Sequence, residues 1–258
     1  MLRFKTVNFL AVLMILLLVG VHFFVGTPWW SYLLLAILWL TLTTVGSFHM
    51  RWNYHLKSLN SNPLTKKNCV SLTFDDGPNP EFTPQILTLL KKHKAKATFF
   101  CIGKNIEENT QLFQEILAQG HTVGNHTYSH ANSFGFFSTQ KVVEELMQTN
   151  RLANKISGME MKLYRPAFGV TNPSIAKALQ VTKLQSIGWS IRSLDTTKSS
   201  EETILKRITD RIYKGDIVLL HDSSEKSVKV LERLLLFLQA NHLESVTVDQ
   251  LLEIEAYA

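Results

Sequence analysis

Residues 70–78 read Val-Ser-Leu-Thr-Phe-Asp-Asp-Gly-Pro, a short β-forming run that ends in two aspartates and a turn. Adjacent side chains of a strand point to opposite faces, so two neighbouring aspartates inside a strand would leave one carboxylate in the core. Where Gly77 and Pro78 turn the chain, both Asp75 and Asp76 can instead reach one pocket. By itself the motif fits a helix-capping turn as well as it fits a binding site.

The chain on the C-terminal side of this motif alternates between strand-like and helical segments. Further strands are predicted at residues 97–101, 122–124, 163–164, 184–190 and 217–220. Helices are predicted at residues 82–93, 110–119, 139–156 and 228–240, after Asn172-Pro173, after Thr247, and from a capping box at Ser199-x-x-Glu202 to Tyr213. This alternation indicates a parallel sheet with crossover helices, either a barrel or a doubly wound sheet.

The first 52 residues differ from the rest in being strongly apolar. Residues 10–25 are apolar except for His22, and residues 32–45 are apolar apart from a few threonines. With their flanks, both approach the roughly 20 residues that cross a bilayer. We predict a transmembrane hairpin at residues 1–52, with helices at about 7–26 and 30–48, then a linker at 53–67 and a globular domain at 68–258. A cleaved signal peptide is the alternative, but the apolar run is long and a second one follows it directly.

The formal net charge of +6 does not indicate a nucleic-acid-binding protein. Six basic residues and no acidic residue precede Asp75, which leaves 21 basic and 21 acidic residues from Asp75 onward. The globular part is therefore formally neutral and lacks the basic stripe of a nucleic-acid-binding domain. Two of the six cations precede the first apolar segment and four follow the second. The positive-inside rule thus predicts that both flanks and the globular domain lie in the cytoplasm, with anionic membrane lipid as a partner.

Chemically versatile side chains recur just beyond the carboxyl ends of the predicted strands. In parallel α/β barrels the active site is built at this rim. Scattered structural residues would not share this position, so we predict that they form one site. The residues concerned are Asp75, Asp76, His126, His130, Arg165, Asp195 and His221.

A metal site is indicated by His126 and His130, which are four residues apart. On a helical turn this spacing places both imidazoles on one face, although such a pair alone is common on protein surfaces. Together with a rim carboxylate they would form a two-histidine, one-carboxylate set suited to Zn²⁺ or another borderline divalent ion. Arg165 could pair with a rim carboxylate and keep it ionised. His221 ends an apolar strand, and its rim position favours a catalytic acid over a core histidine.

Four motifs in this order resemble the polysaccharide deacetylase family, also called carbohydrate esterase family 4 or the NodB homology domain. They are Thr73-Phe-Asp-Asp-Gly-Pro78, Gly124-Asn-His-Thr-Tyr-Ser-His130, Arg165-Pro166 and Leu219-x-His221. The resemblance covers roughly residues 69–258. It implies an α/β fold that is a distorted (β/α) barrel, and hydrolysis of an N-acyl group, usually acetyl, from an amino sugar. The substrate would be a polysaccharide or a polyprenyl-linked glycan.

The resemblance further implies roles for the rim residues. Asp76, His126 and His130 would bind one divalent ion, Zn²⁺ in the first place, with Co²⁺ as an alternative. Of the remaining rim residues, Asp75 would be the general base, Arg165 its partner, His221 the acid that protonates the leaving amine, and Asp195 the carboxylate that orients His221. The backbone N–H of Phe168 would help to stabilise the oxyanion, and Leu219 would line the acyl pocket.

The chain departs from the family pattern at the fourth motif. The family usually has Asp-x-x-Asp-Trp, whereas this chain has Arg192-Ser-Leu-Asp195-Thr196. The missing tryptophan would open one wall of the substrate groove, which bears on long polymers more than on the chemistry. Two alternatives follow: a catalytically impaired, membrane-anchored protein that binds carbohydrate or lipid-linked sugar, and a deformylase or O-acetyl esterase on the same scaffold.

Overall fold

The structure, a computed structural model, describes residues 3–258, so Met1 and Leu2 of the predicted hairpin lie outside the described residues. The hairpin consists of helices α1 (Phe4–Val25) and α2 (Trp30–Phe48). By length and composition both could cross a membrane, with mean hydropathies of 2.5 and 1.7. Most of their large apolar side chains are exposed, which is unusual for a protein surface in water. Two long apolar helices are therefore present as predicted, and their insertion in a bilayer stays a prediction.

A parallel sheet forms the centre of the remaining chain. Its strands follow the order β1-β6-β5-β4-β3-β2-β8-β7, and β9 pairs with the start of β2. All paired strands are parallel. The strands are β1 (Ser58–Leu59), β2 (Cys69–Asp75), β3 (Ala97–Cys101), β4 (Thr122–Asn125), β5 (Leu163–Tyr164), β6 (Gln185–Ile187), β7 (Ile191–Arg192), β8 (Ile217–His221) and β9 (Glu244–Ser245).

The sheet curls because its two ends are joined by a short segment. β6 is second in the strand order and β7 is last, yet only residues 188–190 lie between them. Such a link spans at most about 14 Å, so the ends of the sheet must lie close together. Ser61 bridges to Asp216, just before β8, and helps to close the gap. The predicted α/β class and the distorted (β/α) barrel are confirmed.

Helices cover the outer face of the sheet. They are α3 (Thr83–Lys92), α4 (Gly103–Glu108), α5 (Thr110–Ala118), α6 (Thr139–Ser157), α7 (Pro173–Thr182), α8 (Glu201–Thr209), α9 (Glu225–Ala240) and α10 (Val248–Leu252). Leu72 and Phe74 of β2 point outward and pack with apolar side chains of α3 and α9 in the main core. Because strand side chains alternate, Thr73 and Asp75 face the barrel interior.

Two local features differ from the sequence-based expectations. The segment at residues 53–67 was predicted to be a linker, but it contributes β1, which pairs with β6, so it forms part of the barrel wall. The boundary between hairpin and globular domain stays a prediction. Helix α8 is capped by Ser200, whose hydroxyl accepts from the Thr203 N–H, rather than by Ser199. A shift of one residue between adjacent serines is not decided by the capping pattern alone.

Candidate active site

The structure brings the seven predicted rim residues together at the carboxyl ends of the strands. Asp75 is the last residue of β2 and His221 the last residue of β8, and the two are register partners in adjacent parallel strands. Their side chains therefore point to the same face, about 5 Å apart at the backbone. His126 follows β4 and Arg165 follows β5, which are also neighbours in the sheet. The barrel rim thus explains why residues nearly 150 positions apart share one site.

Asp76, His126 and His130 form a compact set of potential metal ligands. Asp76 Oδ1 lies 3.4 Å from His126 Nε2 and 3.5 Å from His130 Nε2, and the donor atoms of all three residues lie within 4.8 Å of one another. Zinc bonds of about 2.1 Å in tetrahedral geometry require ligand atoms about 3.4 Å apart. The nitrogen and oxygen donors and their spacing therefore fit one divalent ion, as predicted.

The orientation of His126 is fixed by a backbone contact. Its Nδ1 lies 2.9 Å from the carbonyl oxygen of Arg165, which leaves Nε2 directed at Asp76. A ligand histidine commonly donates its second ring N–H to a carbonyl in this way, because the bond fixes the tautomer and the ring plane. The ring is almost completely buried, so it has little freedom to turn.

His130 reaches the same point from an irregular loop, not from the helical turn that the sequence suggested. Thr127 and His130 both have positive φ angles, +68° and +46°. The buried carboxylate of Glu145 in α6 holds this loop by accepting from the N–H groups of Tyr128 and Ser129. The i, i+4 spacing therefore predicted that the two imidazoles lie together, which the structure shows, but the helical turn predicted between them is wrong.

The charges of the ligand set affect one another. Burial alone would raise the pKa of Asp76, but the hydrogen bond and charge of His126 outweigh it and hold this pKa well below its usual range. Burial, followed by the charge of His126, lowers the pKa of His130 to about 4. A carboxylate and a neutral imidazole are the forms of these groups that bind a metal ion.

Arg165 is completely buried and pairs with Asp75. Its Nη1 donates to Asp75 Oδ1 at 3.0 Å and also to Thr73 Oγ1, while Nε and Nη2 donate to the carbonyl oxygens of residues 187 and 188. The guanidinium lies 4.1 Å above the Phe100 ring. Burial lowers the pKa of Arg165, and the charge and hydrogen bond of Asp75 oppose that shift. The predicted pairing of Arg165 with a rim carboxylate is present in the structure.

On the other side of the ligand set, Asp195 accepts four hydrogen bonds. The donors are the backbone N–H and Nδ1 of His221 and the hydroxyls of Ser193 and Ser227, all at 2.8 Å. Burial alone would lower the pKa of His221, but the hydrogen bond and charge of Asp195 outweigh it and raise this pKa to about 9. His221 can therefore carry a proton at neutral pH.

Phe168 and Leu219 lie beside these groups. The Phe168 ring is 4.4 Å from the His130 ring, and the residue is held at φ +57° in a tight turn between β5 and α7. Leu219 is a buried residue of β8, two positions before His221 and hence on the same face of the strand. Both residues therefore lie next to members of the candidate site.

Several supporting residues were not found from the sequence. Glu145, Ser193 and Ser227 hold the loop of His130 and the carboxylate of Asp195, but a polar residue inside a helix or loop carries no signal of such a contact. Asp222 is also buried, and it accepts a hydrogen bond from Thr83 Oγ1 at 2.5 Å. Burial raises the pKa of Asp222 to about 7.

Comparison with known proteins identifies the family of the chain. A model of the family described as Polysaccharide deacetylase matches residues 62–187. A peptidoglycan-N-acetylglucosamine deacetylase of Bacillus cereus is 34% identical over 188 residues, which cover 71% of this chain and 87% of that protein.

Solved structures are similar over the barrel as well. The crystal structure of a peptidoglycan N-acetylglucosamine deacetylase has a TM-score of 0.72 and 30% identity, and the match covers 78% of this chain and 95% of that chain. A pseudoenzyme of carbohydrate esterase family 4 from Bacillus anthracis has a TM-score of 0.69 and 26% identity, with coverage of 76% and 69%. The fold is thus found in proteins named as enzymes and in one named as a pseudoenzyme.

Proposed function

Because the chain belongs to the polysaccharide deacetylase family, we propose that it is a metal-dependent enzyme that removes the N-acetyl group from an amino sugar of a glycan. Membership makes the chain a hydrolase of carbon–nitrogen bonds other than peptide bonds. One observation carries the proposal: a fitted set of metal ligands has a carboxylate paired with a buried arginine on one side and an imidazole able to carry a proton on the other.

Asp76, His126 and His130 would hold the metal ion. When bound, a divalent ion supplies Lewis acidity, which polarises the amide carbonyl and makes water easier to deprotonate. Two imidazoles and one carboxylate suit Zn²⁺ best, and Co²⁺ is the alternative. Relatives named chitooligosaccharide deacetylase and peptidoglycan deacetylase support an acetylated amino sugar as the substrate class.

Asp75 would act as the general base. Its Oδ1 is engaged by Arg165, while its Oδ2 lies 4.0 Å from His126 Nε2, on the side of the ligand set. Oδ2 would accept the proton of the attacking water. The buried guanidinium of Arg165 fixes the position of this carboxyl group through Oδ1 and leaves Oδ2 free to face the water.

His221 would act as the general acid. Its Nδ1 is bonded to Asp195, so the proton that it can give up is on Nε2. Transfer of this proton to the sugar nitrogen would let the C–N bond break, because an amine leaves far more readily than its anion. Acetate and the free amine are the products, and one water is consumed.

Phe168 and Leu219 would complete the site. The Phe168 N–H would donate to the oxyanion that forms on the acyl carbonyl, and such a donor contributes most where charge develops in the transition state. Leu219 would contact the acyl methyl group. A formyl group would fill this space less well, and an ester would not need the proton from His221, so deformylation and O-acetyl ester hydrolysis are the less favoured reactions.

We also propose that α1 and α2 anchor the enzyme in a membrane. In water the exposed apolar side chains of both helices would form a patch far larger than monomeric proteins tolerate. By the positive-inside rule, the flanking cations favour the cytoplasmic side for the barrel. A reporter of cytoplasmic or exported location fused after Ala258 would check the side.

A catalytically impaired binding protein is the second candidate, favoured by the similarity to a pseudoenzyme and by the altered motif at residues 192–196. The site itself opposes it. Binding alone does not require that Asp75 and His221 each have a buried, charged partner, Arg165 and Asp195. Such pairs are typical of acid–base catalysis.

The decisive experiment measures metal content and acetate release on the same full-length protein. After chelation, added Zn²⁺ or Co²⁺ should restore acetate release from an N-acetylglucosamine oligosaccharide. His130→Ala should lose the metal and the activity, whereas Asp75→Asn should keep the metal and lose about 10²–10⁴-fold in activity. His242→Ala, which removes an exposed histidine outside the site, is the matched control. Wild-type protein that binds the metal but releases no acetate would favour the binding protein.

A further inference from the structure

The C-terminal end of α2 is bonded directly to the rim of the barrel. The backbone N–H of Thr171 donates to the carbonyl oxygen of Ser47, the penultimate residue of α2, at 2.9 Å. Thr171 lies three residues after Phe168, a separation of at most about 11 Å. Since the Phe168 ring touches the His130 ring, the end of α2 and the ligand set are joined by one short run of contacts.

The region where the end of α2 meets the barrel, around Ser47 and Thr171, is called the junction here, and it is tightly packed. The Tyr54 ring packs against Gly46 so closely that there is no room for a Cβ atom at this position. The Tyr54 hydroxyl lies 3.2 Å from Thr43 Oγ1, and Ser47 Oγ lies 2.9 Å from His55 Nε2. Tyr54 and Met50 are both buried. The barrel is therefore held in a fixed position on α2, and does not hang from a flexible tether.

Exposed phenylalanines surround the junction. Phe48 at the end of α2 is 65% exposed, Phe136 is 93% exposed, and Phe168 is 45% exposed. Phe136 adjoins Gly135, whose carbonyl oxygen accepts from the Asn172 side chain, next to Thr171. Single exposed apolar residues are common, but three large rings around the end of an apolar helix are typical of a surface that meets the membrane interface.

Cations are concentrated at the same place. The Phe4 N–H donates to the Tyr54 carbonyl oxygen, so the start of α1 also lies at the junction. The exposed basic residues here are Arg3, Lys5, Arg51 and Lys57, and the chain has no acidic residue before Asp75. Clustered basic residues beside a membrane span attract the phosphates of lipid head groups.

From these contacts we propose that the rim of the barrel lies on the membrane surface and that the substrate is an N-acetylated amino sugar joined to a membrane lipid through phosphate. The proposal rests on the deacetylase function above. A sugar one or two units from the lipid phosphate would meet the ligand set at the height of the head groups, and the cations of the junction would lie beside its phosphate. Water cleaves the amide C–N bond to acetate and a free amine, and the lipid linkage stays intact.

The test uses full-length protein in phosphatidylethanolamine–phosphatidylglycerol vesicles and two substrates. One is an N-acetylglucosamine oligosaccharide in solution, and the other is the same oligosaccharide linked through diphosphate to a polyprenyl chain in the vesicles. Phe136→Glu should slow release from the lipid-linked substrate about 10-fold, or about 1.4 kcal/mol, because the exposed ring can then no longer insert into the membrane interface. Its rate on the soluble oligosaccharide should stay within about two-fold, since Phe136 lies outside the site.

Tyr213→Glu is the matched control, because Tyr213 is 68% exposed and precedes β8, at the end of the barrel opposite the rim. It should change neither rate. If the soluble oligosaccharide is the better substrate, or if Phe136→Glu slows both substrates equally, the proposal is wrong while the deacetylase function stands. If neither substrate releases acetate, the deacetylase function fails and this proposal fails with it.

A second measurement does not depend on activity. An environment-sensitive fluorophore attached at Phe136→Cys should shift to shorter wavelength in the vesicles relative to detergent, and the same label at Tyr213→Cys should not. The native Cys69 and Cys101 are buried and will not compete for the label. Equal spectra at both positions would overturn the placement of the rim.

Discussion

On each side of the active site a buried charged residue pairs with a less buried residue of opposite charge, and the signs of the charges are reversed between the two sides. On one side the completely buried Arg165 supports the more exposed Asp75; on the other the buried Asp195 supports the more exposed His221. In each pair the inner residue is held by several further hydrogen bonds, and the outer residue faces the ligand set. A buried cation thus pairs with the carboxylate of Asp75, and a buried anion favours the protonated imidazole of His221.

The difference between the pairs lies in how much each depends on its inner charge. An isolated arginine stays charged at any physiological pH, so Arg165 gives Asp75 a fixed partner. Asp195 must itself remain ionised, and three other donors help it to do so: the hydroxyls of Ser193 and Ser227 and the backbone N–H of His221. We therefore expect that loss of Arg165 destabilises the fold, whereas loss of the Asp195 charge changes the pH dependence of the activity.

The largest effect is expected from Arg165→Met, which leaves the Asp75 carboxylate buried without its cation. Breaking a buried ion pair from one side costs about 3–5 kcal/mol in the free energy of unfolding. Thermal unfolding of the metal-free protein should show the loss, and acetate release should fall at least about 10³-fold. Adding Asp75→Asn should restore most of the stability but none of the activity, because no uncompensated charge then remains. A double variant as unstable as Arg165→Met alone would contradict this account of the pair.

The second prediction concerns the stability of the metal-free protein as a function of pH. The pKa of His221 is raised from 6.5 to about 9 in the folded chain, so its contribution is fully present below pH 6.5 and is lost as the pH rises through 9. This corresponds to on the order of 3 kcal/mol, or about 6–12 °C in Tm. His221→Gln should flatten the fall in Tm between pH 6.5 and 9. Equal slopes for both proteins would show that His221 does not bind the proton.

The third prediction asks whether Asp195 acts on His221 through its negative charge or only by positioning the ring. Asp195→Asn keeps the shape of the side chain but removes its negative charge, so the pKa of His221 should fall. Since the acid must be protonated, the alkaline limb of the activity profile should move to lower pH. The loss in acetate release should be about 10²-fold at pH 8 and much smaller at pH 6. An equal loss at both pH values would mean that Asp195 only positions the ring.

The comparison of the two pairs also shows what the sequence can predict. All seven rim residues were found, because a parallel sheet brings the ends of its strands to one edge and the polar residues at those ends stand out from apolar strands. Contacts made from the middle of other elements could not be found. The Glu145 carboxylate and the Ser227 hydroxyl belong to segments whose local pattern gives no reason for burial. β1 was missed for a related reason, since a two-residue strand has no periodicity.

The smallest effect is expected from Ser227→Ala, compared with Ser193→Ala. Each variant removes one donor from Asp195, Ser227 from Oδ2 and Ser193 from Oδ1, which also accepts from His221 Nδ1. Such a hydrogen bond to a charged group contributes at most about 1.5–3 kcal/mol to stability, and the remaining donors still stabilise the carboxylate. Acetate release should therefore fall only a few-fold at every pH.

The direction of the pH effect is the informative part of this experiment. With one donor fewer, the Asp195 carboxylate is less stabilised but still ionised, and it remains a full negative partner for His221. The alkaline limb should therefore stay in place or move slightly upward, the opposite of the shift expected for Asp195→Asn. If Ser227→Ala moves the limb to lower pH, then the serine maintains the charge of Asp195 and not merely its position, and the two buried pairs are less alike than their geometry indicates.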